Sequence, residues 1–217
     1  MKRNASNINQ HLHSDPTYQG FEVQTGRGPL IEENLARTLS CFERALVKYP
    51  RVWAMRVDLH IPENYLLSGL NDNVLIERFI SSLRSKIKSS QQRSRKLGHR
   101  VHDSDVRYIW ARELSANGRI HYHVMLLFNH DAYAHIGKFD LSCDNMYSRV
   151  HQAWASALCV FVNDLVGLVH FPKNATYSII RDEPNTLVDP FFRASYLSKR
   201  DTKEFGEGFH TFGCSRI

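Results

Sequence analysis

The chain has 217 residues, of which 42% are hydrophobic and 23% charged, and its 28 lysines and arginines exceed its 22 aspartates and glutamates to give a net charge of +6. This composition is close to the average of globular proteins, so it excludes a disordered chain and a fibrous repeat. The length suits one domain with its own core, and the basic excess favours a polyanionic partner.

The first 28 residues are rich in Asn, Gln, His, Ser, Thr and Gly and show no sustained hydrophobic period. We therefore expect residues 1–28 to form a flexible N-terminal arm and residues 29–217 to form the folded domain. The polar start lacks the hydrophobic segment of an export signal, and the four cysteines include no C-x-x-C pair. These features predict a cytoplasmic protein with reduced thiols and no thiolate zinc site.

The next two segments predict a helix and a strand. Hydrophobic positions recur every three or four residues from Leu30 to Lys48, as one face of a helix requires. Residues Val52–Ile61 then alternate between apolar and polar side chains. This strand therefore has a core face and a polar face, and the polar face carries Arg56, Asp58 and His60.

The remaining pattern completes an α+β fold. A second helix is predicted over Asp72–Lys88, followed by a basic polar segment through Lys96. After a central hairpin, the sequence predicts an apolar helix over Met146–Leu168, a strand over Ala175–Arg181 and a short helix over Phe191–Lys199. Polar residues near the middle of the apolar helix argue against a membrane span. We expect a central antiparallel sheet with helices packed mainly on one face.

The central hairpin consists of two predicted strands, Arg107–Glu113 and Arg119–Phe128, around an Asn-Gly turn. Its register decides which face carries the carboxylate of Glu113. A two-residue turn places Glu113 opposite Tyr122 and on the wrong face, whereas a three-residue loop with a left-handed glycine places it opposite His121. We favour the second register because it gives a buried carboxylate a partner.

The second strand of this hairpin carries His121 and His123 in an otherwise hydrophobic sequence. Residues i and i+2 of a strand point to the same face, so both imidazoles can bind one cation. Glu113 is a candidate third ligand in the favoured register, and otherwise it pairs with a surface arginine. A second H-x-H, formed by His11 and His13, lies in the polar arm without a predicted strand to orient it, and we assign it no role.

Three segments resemble motifs of a known superfamily. The His-Tyr-His triplet at 121–123, followed by an apolar run, resembles the His-hydrophobe-His motif of HUH endonucleases, the rolling-circle replication initiators and relaxases. Tyr196 and Lys199, within Ala-Ser-Tyr-Leu-Ser-Lys, resemble the Tyr-x-x-Lys motif, and the strand Trp53–Leu59 is similar to the first, weaker motif. From about Leu30 to the end, the chain most resembles the prophage and inovirus replication-initiator-like family named for the YagK/YfjJ C-terminal domain.

The resemblance implies a fold, a metal and a nucleophile. The implied fold is the ferredoxin- or RRM-like HUH domain, in which the two histidines bind a divalent cation, Mg²⁺ or Mn²⁺. Glu113 is the further ligand that the favoured register offers. Tyr196 is then the nucleophile toward DNA, assisted by Lys199, and Arg200 stands where two-tyrosine initiators carry a second tyrosine. The implied partners are single-stranded DNA or a DNA hairpin at an origin. A separate helicase and polymerase are also implied, since the chain has no G-x-x-x-x-G-K-[ST] phosphate loop.

Three functions are compatible with these residues. The first is single-stranded DNA nicking and joining by Tyr196, which initiates rolling-circle replication of a phage- or plasmid-like element. The second is a non-catalytic DNA-binding regulator on the same scaffold, and the third is a hydrolytic metal phosphodiesterase that uses water as nucleophile. The presence of both histidines, the tyrosine and the lysine favours the first. Candidate contacts to the DNA backbone are Arg56, Arg93, Arg95, Lys96, Arg193, Arg200 and Lys203.

Overall fold

The structure is a computed structural model that describes residues 2–63, 65, 73–115, 117–203 and 208–216. In chain order, the strands and helices of these residues are β1 (Lys2–Asn4), β2 (Asn7–His13), β3 (Thr17–Tyr18), β4 (Phe21–Glu22), β5 (Leu30–Ile31), α1 (Glu32–Lys48), β6 (Arg51–His60), α2 (Val74–Lys96), β7 (Arg107–Leu114), β8 (Ile120–Asn129), α3 (Met146–Leu158), β9 (Val169–His170), β10 (Thr176–Ile180), α4 (Val188–Ser195) and β11 (Phe212–Cys214). Short 3₁₀ turns occupy Val162–Leu165, Pro184–Leu187 and Tyr196–Ser198.

The main sheet has the strand order β10-β6-β8-β7-β11, and β9 pairs with the far end of β6. All of these pairings are antiparallel. The long strands β6 and β8 lie side by side over nine residue pairs, so the middle of the sheet is its most extensively paired part. The predicted α+β fold with a central antiparallel sheet is confirmed.

Helices cover both faces of this sheet. α2 and α3 pack over the face of β6 that carries Trp53 and Val57, while α1 and α4 pack over the opposite face, which carries Val52 and Ala54. The expectation of helices mainly on one face is therefore wrong. The reason is that the second face of β6 is apolar at its start and becomes polar only from Arg56 onward.

Two predicted helices have different bounds in the structure. α2 continues to Lys96, because the Gln, Arg and Lys residues of the basic segment are good helix formers and its cations favour the negative C-terminal end. The predicted start at Asp72 lies outside the described residues. The apolar helix ends at Leu158, where Cys159 adopts a left-handed conformation. None of the helices in the described ranges combines the length and apolarity that a membrane crossing requires.

The segment predicted as a loose arm contains regular structure. β1 and β2 form an antiparallel hairpin, and β2 also pairs with β5 just before α1. Polar contacts hold it, such as the hydrogen bond of 2.8 Å from Asn4 Nδ2 to Gln10 Oε1, which a search for hydrophobic periods does not detect. Tyr18 and Val23 are buried in the core beside α4. The domain boundary at residue 28 stays a prediction.

Candidate active site

The hairpin of β7 and β8 has the register that the sequence favoured. Glu113 pairs with His121, and Gly118 occupies the left-handed position of the loop with φ 72°. The first residue of the loop lies outside the described residues. Because side chains on a strand alternate between faces, this pairing places Glu113, His121 and His123 on one face of the sheet.

These three residues form a group that can hold a metal ion. Each offers one ligand atom, and the three atoms lie within 4.8 Å of one another. The Nε2 atoms of His121 and His123 are 3.2 Å apart, and His123 Nε2 is 3.6 Å from Glu113 Oε2. The other carboxylate oxygen of Glu113 is buried without a hydrogen-bond partner among the described residues, which suits a cation ligand. Two imidazoles and a carboxylate are a donor set that divalent metals accept.

Asp58 on β6 fixes the orientation of His123. Its Oδ1 lies 2.6 Å from His123 Nδ1 and accepts a hydrogen bond of 2.8 Å from Arg56 Nε. Burial raises the pKa of Asp58, but the bond with His123 and the charge of Arg56 outweigh burial and lower the pKa below its usual range. The ionised carboxylate therefore accepts the Nδ1 proton and leaves the Nε2 lone pair free for a cation.

His60 extends the row of imidazoles on this face. It pairs with His121 across β6 and β8, and the two rings stack with centroids 5.6 Å apart and planes 13° apart. Burial and the neighbouring His123 lower the pKa of His121, and burial lowers the pKa of His60. Both shifts favour the neutral imidazole, which is the form that binds metals.

Two lysines from the segment after α4 face Glu113. Lys199 Nζ is 3.9 Å from Glu113 Oε2, and Lys203 Nζ is 3.8 Å from Oε1. Burial opposes the ionisation of Glu113, yet the neighbouring His123 imidazole and the charge of Lys203 lower its pKa to about 2. Burial in turn lowers the pKa of Lys203 to about 8. Because its side chain is fully buried, Lys203 does not reach a DNA backbone as the sequence predicted, and it instead balances the charge of Glu113.

Tyr196 opens the 3₁₀ turn that follows α4, so the predicted helix over Phe191–Lys199 begins earlier and ends at Ser195. The Tyr196 ring meets the His123 ring edge-on, with centroids 5.4 Å apart. Lys199 Nζ donates a hydrogen bond of 3.2 Å to the Tyr196 hydroxyl. Since the same ammonium faces Glu113, Lys199 connects the phenol to the metal-ligand group.

A cleft of about 240 Å³, which we call the arginine cleft, opens beside Tyr196. Its lining consists of Gln24, Arg27, Arg56, Asp58, His123, Arg193 and Tyr196. The structure thus brings two predicted DNA contacts, Arg56 and Arg193, to the site. Sequence reasoning assigned no role to Asp58, although the polar face of its strand was a usable signal. Nothing in the sequence marked Arg27, which comes from the segment predicted as an arm.

The other predicted DNA contacts do not line the arginine cleft. Arg93, Arg95 and Lys96 belong to the last turns of α2, on the opposite face of the sheet, and Arg93 pairs with Asp144 at 2.8 Å. Arg200 donates hydrogen bonds to side chains of the β1–β2 hairpin. Their contact with DNA stays a prediction.

Comparisons with known proteins cover almost the whole chain. The family model described as the YagK/YfjJ C-terminal domain matches residues 13–215, which include every residue of the site. The chain is 39% identical to the protein YagK of Escherichia coli K12 over 215 residues, covering 93% of this chain and 98% of YagK. It is 36% identical to YfjJ of the same strain over 173 residues, covering 75% and 83%. Both relatives are described as uncharacterized, and no solved structure matches the chain.

Proposed function

The chain belongs to the YagK/YfjJ C-terminal domain family, and we propose that it is a metal-dependent enzyme that nicks and rejoins single-stranded DNA through Tyr196. One observation carries the proposal: Lys199 lies within 4 Å of both the Tyr196 hydroxyl and the Glu113 carboxylate. The hydroxyl of Tyr196, the ammonium group of Lys199 and the metal-ligand group are thereby adjacent, although Glu113 and Tyr196 belong to distant parts of the chain. This is the arrangement that nucleophilic attack on a phosphodiester requires.

Glu113, His121 and His123 would hold the divalent cation, Mg²⁺ or Mn²⁺, with Asp58 orienting the second imidazole. When bound there, the cation supplies Lewis acidity toward a non-bridging oxygen of the phosphate. The fit rests on the donor set and on the buried oxygen of Glu113 that lacks a hydrogen-bond partner among the described residues.

The protein's own residues account for the covalent step. Lys199 Nζ, 3.2 Å from the Tyr196 hydroxyl, donates a hydrogen bond to it and holds a positive charge where negative charge develops during the attack. As the Tyr196 oxygen attacks phosphorus, its proton passes to solvent; the bond from phosphorus to the 3′-oxygen breaks, and that oxygen takes a proton from solvent. The products are a 5′-phosphotyrosyl ester and a free 3′-hydroxyl. Since one ester replaces another, attack by a 3′-hydroxyl reverses the step, releases Tyr196 and rejoins the strand.

This reaction suits the start of rolling-circle replication in a phage- or plasmid-like element. The resemblance to HUH initiators supports that role, and the arginine cleft supports an anionic strand as the substrate. The substrate is then single-stranded DNA, or the exposed strand of a hairpin, at an origin. Unwinding and synthesis fall to a separate helicase and a separate polymerase.

The test is the capture of a covalent intermediate. A labelled pool of random-sequence single-stranded DNA is incubated with the protein and Mn²⁺, and the mixture is boiled in detergent. We expect an adduct with the wild type and none with Tyr196→Phe. Tyr147→Phe is the matched control, because Tyr147 lies on α3 on the opposite face of the sheet. Mass spectrometry should find the nucleotide on the peptide that contains Tyr196.

The same assay distinguishes the other functions. Cleaved DNA without any adduct supports a hydrolytic phosphodiesterase, and binding without cleavage supports a non-catalytic regulator. An adduct that persists in Tyr196→Phe contradicts the assignment of the nucleophile.

A further inference from the structure

The segment from Gln24 to Leu30 is attached to the part of the chain that presents Tyr196. The backbone N–H of Gln24 donates to Ser195 Oγ at 2.9 Å, and its side-chain amide donates to the Phe192 carbonyl at 2.9 Å. These bonds join the start of the segment to the last turns of α4.

The other end of this segment is attached just after Tyr196. Leu30 forms an antiparallel bridge with Lys199. Gly28, at φ 100°, approaches Asp201 so closely that a Cβ at this position would collide with the carboxylate. With contacts on both sides of it, the backbone of Arg27 has a defined place at the edge of the arginine cleft.

The guanidinium groups of the cleft have different partners. Arg56 is almost fully buried and is paired with Asp58. Arg193 donates a hydrogen bond of 3.3 Å to the Lys173 carbonyl, and neither Arg193 nor Arg27 forms an ion pair with a carboxylate within the described ranges. Two cations at the cleft therefore lack an anionic partner from the protein in these ranges.

The position of the cleft distinguishes it from the metal-ligand group. Tyr196 and His123 line the cleft, but His121 and Glu113 do not. An anion in the cleft would therefore contact the surroundings of Tyr196 and His123 without occupying the space between His121 and Glu113. Guanidinium groups match the tetrahedral oxygens of phosphate with paired hydrogen bonds.

We propose that the arginine cleft binds a second phosphodiester of the DNA strand, adjacent to the one that Tyr196 attacks, and that Arg27 and Arg193 are its ligands. This inference rests on the proposed function, since it takes single-stranded DNA as the substrate. Both arginines are positioning residues: they hold the strand so that its neighbouring phosphate faces the phenol. The N-terminal segment is then part of the substrate site.

Binding without chemistry tests this inference. Fluorescent oligothymidylate of twenty nucleotides is titrated with Tyr196→Phe protein in EDTA, at several salt concentrations. Introducing Arg27→Ala or Arg193→Ala into the Tyr196→Phe protein should weaken DNA binding about tenfold. Each substitution should also reduce the slope of log affinity against log salt by about 0.7 for each phosphate contact that is lost. Arg27→Lys should retain most of the slope, because the charge remains.

Matched controls are Arg3→Ala for the N-terminal region and Arg78→Ala for an exposed helical arginine on the opposite face of the sheet. Both should bind like the parent. The inference is overturned if Arg27→Ala and Arg193→Ala also bind like the parent. It is equally overturned if a polyglutamate peptide of matched charge binds as tightly as the oligonucleotide. Adduct formation is measured separately, with Mn²⁺ and with Tyr196 intact. If DNA binding depends on Arg27 but no adduct forms, the proposed function is contradicted. The phosphate-binding role of the arginine cleft is not.

Discussion

Glu113 lies directly opposite His121 across the ladder of β7 and β8. This pairing brings a buried carboxylate to two imidazoles on one side and to two lysines on the other. A shift of one residue in the register would move Glu113 to the other face of the sheet, among the apolar side chains beneath α2 and α3. The candidate site therefore depends on a three-residue loop.

Removing an imidazole from the metal-ligand group should abolish tight metal binding. We expect His121→Ala to weaken Mn²⁺ binding by about a hundredfold or more, because one of three protein ligands is lost. Isothermal titration calorimetry measures the change. His13→Ala is the control, since His13 belongs to the second H-x-H of the chain, on β2. An equal loss of Mn²⁺ affinity in His121→Ala and His13→Ala would contradict the assignment of His121 as a metal ligand.

Asp58 should influence metal affinity without touching the metal. Asp58→Asn removes the anion that accepts the Nδ1 proton of His123, and we expect Mn²⁺ to bind about 10- to 100-fold more weakly. Asp164→Asn, at an exposed position of a 3₁₀ turn, should have no effect. Unchanged affinity in Asp58→Asn would show that His123 is oriented by other contacts.

The carboxylate of Glu113 should make stability depend on pH. Its pKa of about 2 in the folded protein lies below its ordinary value of 4.5, so its stabilising effect is complete above pH 5 and disappears as the pH falls through 2. This change corresponds to about 3 kcal/mol in the free energy of unfolding. Urea unfolding in EDTA between pH 6 and pH 2 measures it.

In the same experiment, Glu113→Gln should lack this component of the pH dependence. It should also be less stable than the wild type at pH 6, because Lys199 and Lys203 lose their shared counterion. The exposed Glu63, which pairs with Arg119, provides the control as Glu63→Gln. If the free energy of unfolding changes with pH in the same way in the wild type and in Glu113→Gln, Glu113 is not the source of the pH dependence.

The close approach of Gly28 to Asp201 should make substitution costly. Gly28→Ala places a methyl group against the carboxylate and also requires a left-handed backbone, whereas Gly20→Ala meets only the second condition. We expect Gly28→Ala to lower the free energy of unfolding by about 1–3 kcal/mol more than Gly20→Ala does. Urea unfolding of both variants measures the difference, and equal values would mean that the segment moves to accommodate the methyl group.

Local rules made much of the site predictable. The alternation in β6 and β8 assigns side chains to faces, and the preferred loop of a hairpin fixes the partner of Glu113. The position of Tyr196 required the resemblance to a known motif, because no local rule indicates which tyrosine folds back onto a sheet 73 residues upstream. Its contact with Lys199 then follows from their spacing of three residues.

Long-range contacts between polar residues were not predictable. The bonds of Gln24 with α4 connect positions about 170 residues apart and involve no hydrophobic period. Lys203 is buried against the carboxylate of Glu113, which belongs to a strand far away in the sequence. Its sequence neighbours are polar, so the local sequence predicted an exposed lysine. The coverage of both sheet faces follows from the change of β6 from apolar to polar at Arg56, which a single alternation pattern does not describe.

The contact between residues 24–30 and the turn after α4 has a consequence for the synthesis of the protein. A growing chain completes the hairpin with the metal ligands well before Tyr196 and Lys199 leave the ribosome. The turn that carries Tyr196 then packs against residues 24–30, which are synthesised well before it. Under the proposed function, a polypeptide that stops before Tyr196 carries the metal ligands without the nucleophile.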